Sequence, residues 1–257
     1  MSAIAAPAPT PVPGSGVLAP ARFVRDTALL TARSLRAIPR VPERLLDVTI
    51  QPIVFILLVL YVFGSAIHVP GVSYKDYLFP WIIGQSLAFG IIGAGVATSH
   101  DMTEGVIDRF RSMPISRLSI ISAQVMGQFC EQLLGLTIVV VFGLILGWNP
   151  HLTAPHTIEL IGLMFLGMFA FTWMGVLLGM LVRSPDAMQG VGFIVIFPLA
   201  FLAGTFVPIA GMDAIPRAIA EWDPISALVA SVRNLTEGTH VTGSWQLSHP
   251  EIAMALW

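Results

Sequence analysis

Residues 158–182, IELIGLMFLGMFAFTWMGVLLGMLV, carry a single charged side chain, Glu159, at their edge. A helix rises 1.5 Å per residue, so about 20 apolar residues cross the hydrocarbon core of a bilayer, and this run is long enough. Four further runs share its character, at about 46–68, 78–99, 120–148 and 191–212. Strands of a membrane barrel would instead alternate over segments of about ten residues. The expected fold class is therefore all-α, a polytopic transmembrane helical bundle with five visible spans.

The whole chain agrees with that reading. Of its 257 residues, 55% are hydrophobic and 11% charged, and the mean hydropathy is +0.81. Soluble domains carry about 25% charged residues, and one this poor in charge would expose large apolar patches. Lipid is the expected cover. The net charge of −2 excludes a global basic field for nucleic acid. Cys130 is the sole cysteine, so no internal disulfide forms. The six histidines (His68, His100, His151, His156, His240 and His249) fall at span ends and in loops, without metal-ligand spacing. No metal site and no catalytic residue is assigned.

Outward from the spans, residues 1–20 form an uncharged Pro/Ala/Gly tract, expected to be a disordered tail. In 21–47, Arg22, Arg25, Arg33, Arg36, Arg40 and Arg44 interleave with apolar residues at helical spacing. That pattern fits an amphipathic helix lying in the interface, or a basic flank anchoring the first span; the two are compatible. Pro39 and Pro42 end it. With the N-terminus inside, ten Arg lie on the inner side, and Lys75, Arg217 and Arg233 outside. This bias predicts a multi-pass protein of the cytoplasmic membrane with a cytoplasmic N-terminus.

Residues 213–236 are too polar to span, and predict two short external amphipathic helices broken at Asp223–Pro224. Their apolar face would comprise Ile219, Trp222, Ile225, Leu228, Val229 and Val232. The triplet Asn234–Leu235–Thr236 would also be external. The chain turns apolar again at Ile252–Trp257, which reads as the first turns of a sixth span that the sequence does not include.

The inner connector, Asp101–Arg117, reads DMTEGVIDRFRSMPISR. Asp101 with Glu104 three residues on resembles a capping box, and Pro114 cannot continue a helix. A short helix to about Met113 would place Val106, Ile107, Phe110 and Met113 on one face, with Asp108, Arg109 and Arg111 elsewhere. Such a helix is a docking surface for a soluble partner, or else an ordinary solvated loop. Lys75 is the only lysine and follows no glycine loop, so the chain carries no phosphate-binding P-loop.

In the third span Glu131 lies near Gln124, Gln128 and Gln132. Gln128 and Glu131 mark a candidate intramembrane polar site, either a structural polar seam or a substrate or proton site. Gly143/Gly147 and Gly175/Gly179 have the four-residue spacing that allows close helix packing. Trp81, Phe89, Phe193, Phe197, Phe201 and Phe206 would line an apolar path or face lipid.

The run EGVIDRFRSMPISR resembles the signature between the second and third spans of ABC-2-type exporter permeases. Glu104, Gly105, Asp108, Arg109, Pro114, Ile115, Ser116 and Arg117 match it, and Val106 stands where that family often has Thr. Gly204–Gly238 is similar to the family's fifth-span end and external segment, including Pro208, Pro216, Pro224 and Arg233. Daunorubicin-resistance-type drug permeases are the nearest subgroup, and the likeness covers residues 21–257. It implies a type-2 exporter transmembrane domain with six spans. It also implies that the inner helix, with Glu104, Gly105, Asp108, Arg109, Phe110, Pro114, Ser116 and Arg117, couples to a separate ABC ATPase subunit. ATP and Mg would then be cofactors of that partner and not of this chain. A second permease copy or a sister permease, the bilayer, and an amphipathic drug, lipid or natural product complete the implied partners. A lipid-linked glycan exporter of the same family is the alternative cargo reading. A secondary transporter or channel would need broken helices and paired intramembrane charges, and a non-transporting scaffold would leave the inner connector unexplained.

Overall fold

The computed structural model describes residues 20–37, 42–64, 74–111, 117–150, 152–203, 212–237 and 252. Among them are nine helices and no strand: α1 (Pro20–Ala37), α2 (Pro42–Phe63), α3 (Tyr74–Thr103), α4 (Val106–Arg111), α5 (Arg117–Ile145), α6 (Ala154–Leu181), α7 (Pro185–Leu202), α8 (Ala214–Trp222) and α9 (Pro224–Glu237). Four of them, α3, α5, α6 and α7, are long and apolar enough to cross a membrane. The apolar stretch recognised within α2 is shorter, Thr49–Val62. Residues 1–19, Phe206, Pro208, Pro114, Ser116 and 253–257 lie outside the described residues.

Local chemistry sets the helix ends. Pro42 opens α2 at a position where a missing N–H costs nothing. Ser184 caps α7, its Oγ accepting from the Ala187 N–H at 3.2 Å, with Pro185 in the first turn. α5 ends at Gly147, whose φ of +89° suits a residue without Cβ. There the Trp148 N–H donates to Gly143 O at 3.0 Å and the Gly147 N–H to Leu144 O at 3.1 Å, the paired bonds of a Schellman ending. Lys75 Nζ then donates to Leu146 O at 2.7 Å, tying the start of α3 to the end of α5.

α3 is the axis of the bundle. It packs most extensively on α6 and also touches α7, α9 and α5, while α1 lies along α5. Lipid offers no hydrophobic reward for pairing helices, so close approach of small residues has to supply the contact. A Cβ on Gly175 would stand 2.9 Å from Ala94 Cβ and 3.1 Å from Ile91 C, and one on Gly179 2.9 Å from Gly95 Cα. Gly175 and Gly179 thus lie directly against the α3 backbone. Gly143 instead faces the Phe79 ring. Trp81, fully buried, joins α3 to α7 by donating its indole N–H to Ala200 O at 3.1 Å.

The polar segment after α7 does break at Asp223, but its two halves differ. Ile219 and Trp222 of α8 are exposed, whereas Ile225, Ser226, Leu228, Val229, Ser231 and Val232 of α9 are all buried. α9 is packed on α3, α6 and α7 and is not a surface helix. Its first turn is capped by the buried Asp223: Oδ1 accepts from the Ile225 N–H at 3.1 Å, and Oδ2 from the Ser226 N–H and hydroxyl at 3.2 and 3.1 Å. Burial raises the Asp223 carboxyl to about 6, against the opposing pull of those hydrogen bonds.

Candidate functional site

The expected inner helix is built differently from the reading of its caps. Asp101 sits inside the last turn of α3, which continues to Thr103, and does not cap a new helix. The break falls at Glu104–Gly105, where the Glu104 N–H donates to His100 O and the Gly105 N–H to Met102 O. Gly105 has φ +67°, the left-handed geometry that ends a helix, and its carbonyl accepts from the Arg109 N–H at 3.1 Å. One glycine therefore closes α3 and opens the six-residue α4. Glu104 and Arg109 are exposed, and Arg109 is engaged in an interaction. Asp108 and Phe110 belong to α4 and Arg117 begins α5; their side chains, with Pro114 and Ser116, are outside the described residues.

Above α4 lies a groove-shaped cavity of about 1340 Å³, larger than most single-ligand pockets. Its walls come from α1 (Leu30, Arg33, Ser34), α2 (Gln51, Pro52, Phe55), α3 from Ile82 to Met102, α5 from Ile120 to Val139, and α7 (Gln189, Phe193, Phe197). Val106 and Ile107 of α4 border it too. From Ile82 to Met102 the α3 wall is about 30 Å long at the helical rise.

The cavity gathers the sequence-predicted polar residues on one stripe. Gln124, Gln128, Glu131 and Gln132 project into it from α5, at the three- and four-residue spacing of a single helix face. Glu131 stands fourteen residues into the 29-residue α5, near its midpoint and well away from its inner end. It is engaged in an interaction. Gln132 Oε1 lies 3.3 Å from Thr172 Oγ of α6, while its Nε2 has no partner. A Cβ at Gly90 would collide with the Gln132 amide, so that glycine makes room for it. Gln85 of α3 is 97% buried and its Nε2 is also unpartnered. Sequence reading passed over Gln85, although a lone amide in the run PWIIGQSLAFG (80–90) is a recognisable signal.

The predicted aromatics divide. Phe89, Phe193 and Phe197 line the cavity, with Phe89 and Phe197 stacked at 6.2 Å and 13°. Trp81 is core and Phe201 is an exposed neighbour of Phe197 at 4.8 Å. Of the external-segment residues, Pro216 lies within α8 and Pro224 opens α9. Arg233 rests its guanidinium 4.2 Å from the Tyr77 ring centre and donates to Tyr77 O at 3.4 Å. Arg233 thus fastens α9 to α3, and none of the three lines the cavity. Among the described residues no group of His, Cys, Asp and Glu forms a metal site.

Helices long and apolar enough to cross a membrane, packed around a cavity, define a polytopic membrane protein. Residues 25–236 match the ABC-2 type transporter family, and the chain belongs to it. The daunorubicin resistance ABC transporter permease protein DrrB1 of Streptomyces coeruleorubidus is 27% identical over 230 residues, covering 89% of this chain and 81% of that protein. The doxorubicin resistance ABC transporter permease protein DrrB of Mycobacterium tuberculosis is 29% identical over 188 residues, 70% of this chain and 62% of its own length. The putative transport permease YvfS of Bacillus subtilis is 26% identical over 149 residues, 58% of this chain and 60% of that one.

Proposed function

We infer that this chain is the membrane subunit of an ATP-driven exporter that moves an amphipathic drug, lipid or natural product outward across the cytoplasmic membrane. The observation that carries the reading is the joint at Gly105. A rigid six-residue helix hangs between the ends of α3 and α5, the two helices that supply most of the cavity wall. A push on α4 from a separate ABC ATPase subunit would be delivered to that wall. Glu104 and Arg109 present charge for the contact, with Asp108, Phe110, Pro114, Ser116 and Arg117 completing the connector. The bias of ten Arg on one side against three cations on the other supports a cytoplasmic N-terminus and a cytoplasmic α4. A second permease, identical or related, would complete the membrane unit. The drug-resistance names of two relatives favour a drug-like cargo over a lipid-linked glycan.

The test is copurification with the cognate ATPase, followed by ATP hydrolysis and efflux for Glu104→Ala and Arg109→Ala. Both variants are expected to fold and to hydrolyse ATP without driving transport. Normal assembly and normal efflux in both would remove the coupling assignment. For orientation, a cysteine introduced at Trp222 should react from outside intact cells; reaction only after permeabilisation would invert the topology.

A further inference from the structure

Most buried polar groups in this bundle have found partners. Trp81 donates to Ala200 O, Thr98 to Ala94 O, and Asp223 accepts three hydrogen bonds. Seven buried side-chain atoms among the described residues have no partner, and two of them are amide nitrogens on the cavity wall, in Gln85 and Gln132. An unpaired buried amide costs about 1–3 kcal/mol, and a leucine would fill either position without that cost. The Gln132 amide cannot be satisfied by turning it over. Thr172 Oγ lies 2.7 Å from Met168 O, and its single proton belongs to that shorter bond. Thr172 then offers Gln132 only a lone pair, so a flipped amide would gain a bond at nitrogen and leave its oxygen unpaired. In either orientation one end of the amide remains open. The nearby carboxylate, Glu131, already has an interaction. Of the other ionisable groups on the wall, Arg33 is engaged too, and His100 and Asp101 lie about 22 Å further along α3 from Gln85. Around Gln85 and Gln132 the cavity therefore offers a guest neutral amide hydrogen bonding, with the apolar shelf of Phe193 and Phe197 in the same wall.

We propose that Gln85 and Gln132 form a recognition site for the uncharged, oxygen-rich head of an amphipath, a glycoside or polyol, whose apolar body lies on the phenylalanine shelf. Amides both donate to and accept from hydroxyl, ether and carbonyl oxygens, whereas a charged head at this depth would need a free counter-charge. The assignment rests on the reading of the chain as an exporter permease, and it names the cargo chemistry that this cavity selects.

Gly93 lines the same cavity with open space around its missing Cβ, which makes it a reporter position. The full chain carrying Gly93→Cys and Cys130→Ala, in lipid nanodiscs, is alkylated with a maleimide in the presence of octyl β-D-glucoside below its micellar concentration. Octanol, octyl sulfate and octyltrimethylammonium serve as matched probes. The glucoside is expected to slow alkylation at lower concentration than the other three. Gln85→Leu and Gln132→Leu are each expected to weaken that protection about two- to tenfold, the worth of one neutral hydrogen bond, with the unprotected alkylation rate unchanged. Equal protection by octanol, stronger protection by either ion, or undiminished protection in both leucine variants overturns the site. Should Gln85→Leu fail to fold, the half-buried Gln132 carries the test. No ATPase is present, so a failed site leaves the coupling result standing, and failed coupling leaves this binding result standing.

Discussion

Where α3 meets α6 and α9 it presents Gly84, Gly95 and Thr98, with Gly175 and Gly179 answering from α6 and Val229 from α9. Towards α1 and α5 the same helix presents Gln85, Gly90 and Gly93 to a cavity. On the first side glycine serves contact: a Cβ on Gly95, Gly175 or Gly179 would crowd backbone, and one on Gly84 the Val229 side chain. On the second, Gly93 meets nothing within 4 Å and Gly90 clears space for a polar side chain. Thr98 and Trp81 are bonded on the packed side, while on the open side the Gln85 and Gln132 nitrogens are unpaired. One helix can be scaffold and binding wall together because successive residues turn by about 100°, separating the two duties by face.

The contrast is broken most severely by Gly175→Val. Its branched side chain would be driven into the Ile91 carbonyl region, and the expected loss is about 3 kcal/mol or more, read as collapse of the thermal transition in detergent. Gly93→Val, in open space, should leave that transition nearly unmoved; an equal loss would erase the distinction between the faces. Trp81→Phe removes the bond to Ala200 O from a fully buried site. The expected cost is about 1–3 kcal/mol, measured by denaturant unfolding.

A smaller effect tests the α9 contact by pH. Asp223 has its carboxyl raised from 3.8 to about 6, so the folded state holds the proton more tightly than the unfolded one. Stability should therefore rise as pH falls from 7 towards 4, by about 1 kcal/mol between pH 7 and 5, and level off below 3.8. Asp223→Asn, which keeps a capping oxygen, should flatten that slope; a wild-type slope in the variant would assign it to another group. The smallest effect sharpens the contrast from the open side. Gln85→Leu trades an unpaired amide for a side chain of similar size, and is expected to leave stability unchanged or raise it by about 1 kcal/mol. A loss of more than that would mean Gln85 is bonded after all.

The helices were legible because apolar run length is a strong signal, and the boundaries follow Pro42, Pro185, Gly105 and Gly147. The place of α9 was not. Its Ile225, Leu228, Val229 and Val232 read as an amphipathic face, and only the packing reveals that Ser226 and Ser231 on the other side are buried as well. Their hydroxyls are satisfied within the helix and its cap, Ser231 by Ala227 O, which lets polar letters lie in a dry place. At Asp101 the capping-box pattern was outweighed by the continuing α3 helix, since a cap needs a chain break before it and Gly105 supplies that break four residues later. The stripe of Gln124, Gln128, Glu131 and Gln132 was visible by spacing. Gln85, which lines the same cavity from another helix, was not, because spacing along one helix says nothing of what its neighbours contribute.

Lys75 is the chain's one lysine, and its amine is held on the last carbonyl turn of α5. Apart from the amino terminus, every amine-directed reagent therefore has a single address. Its reaction rate reads whether the clasp between α3 and α5 is shut. An isotopically methylated amine would give one resonance for the same event, so the unmutated protein carries its own probe for following the bundle through a working cycle.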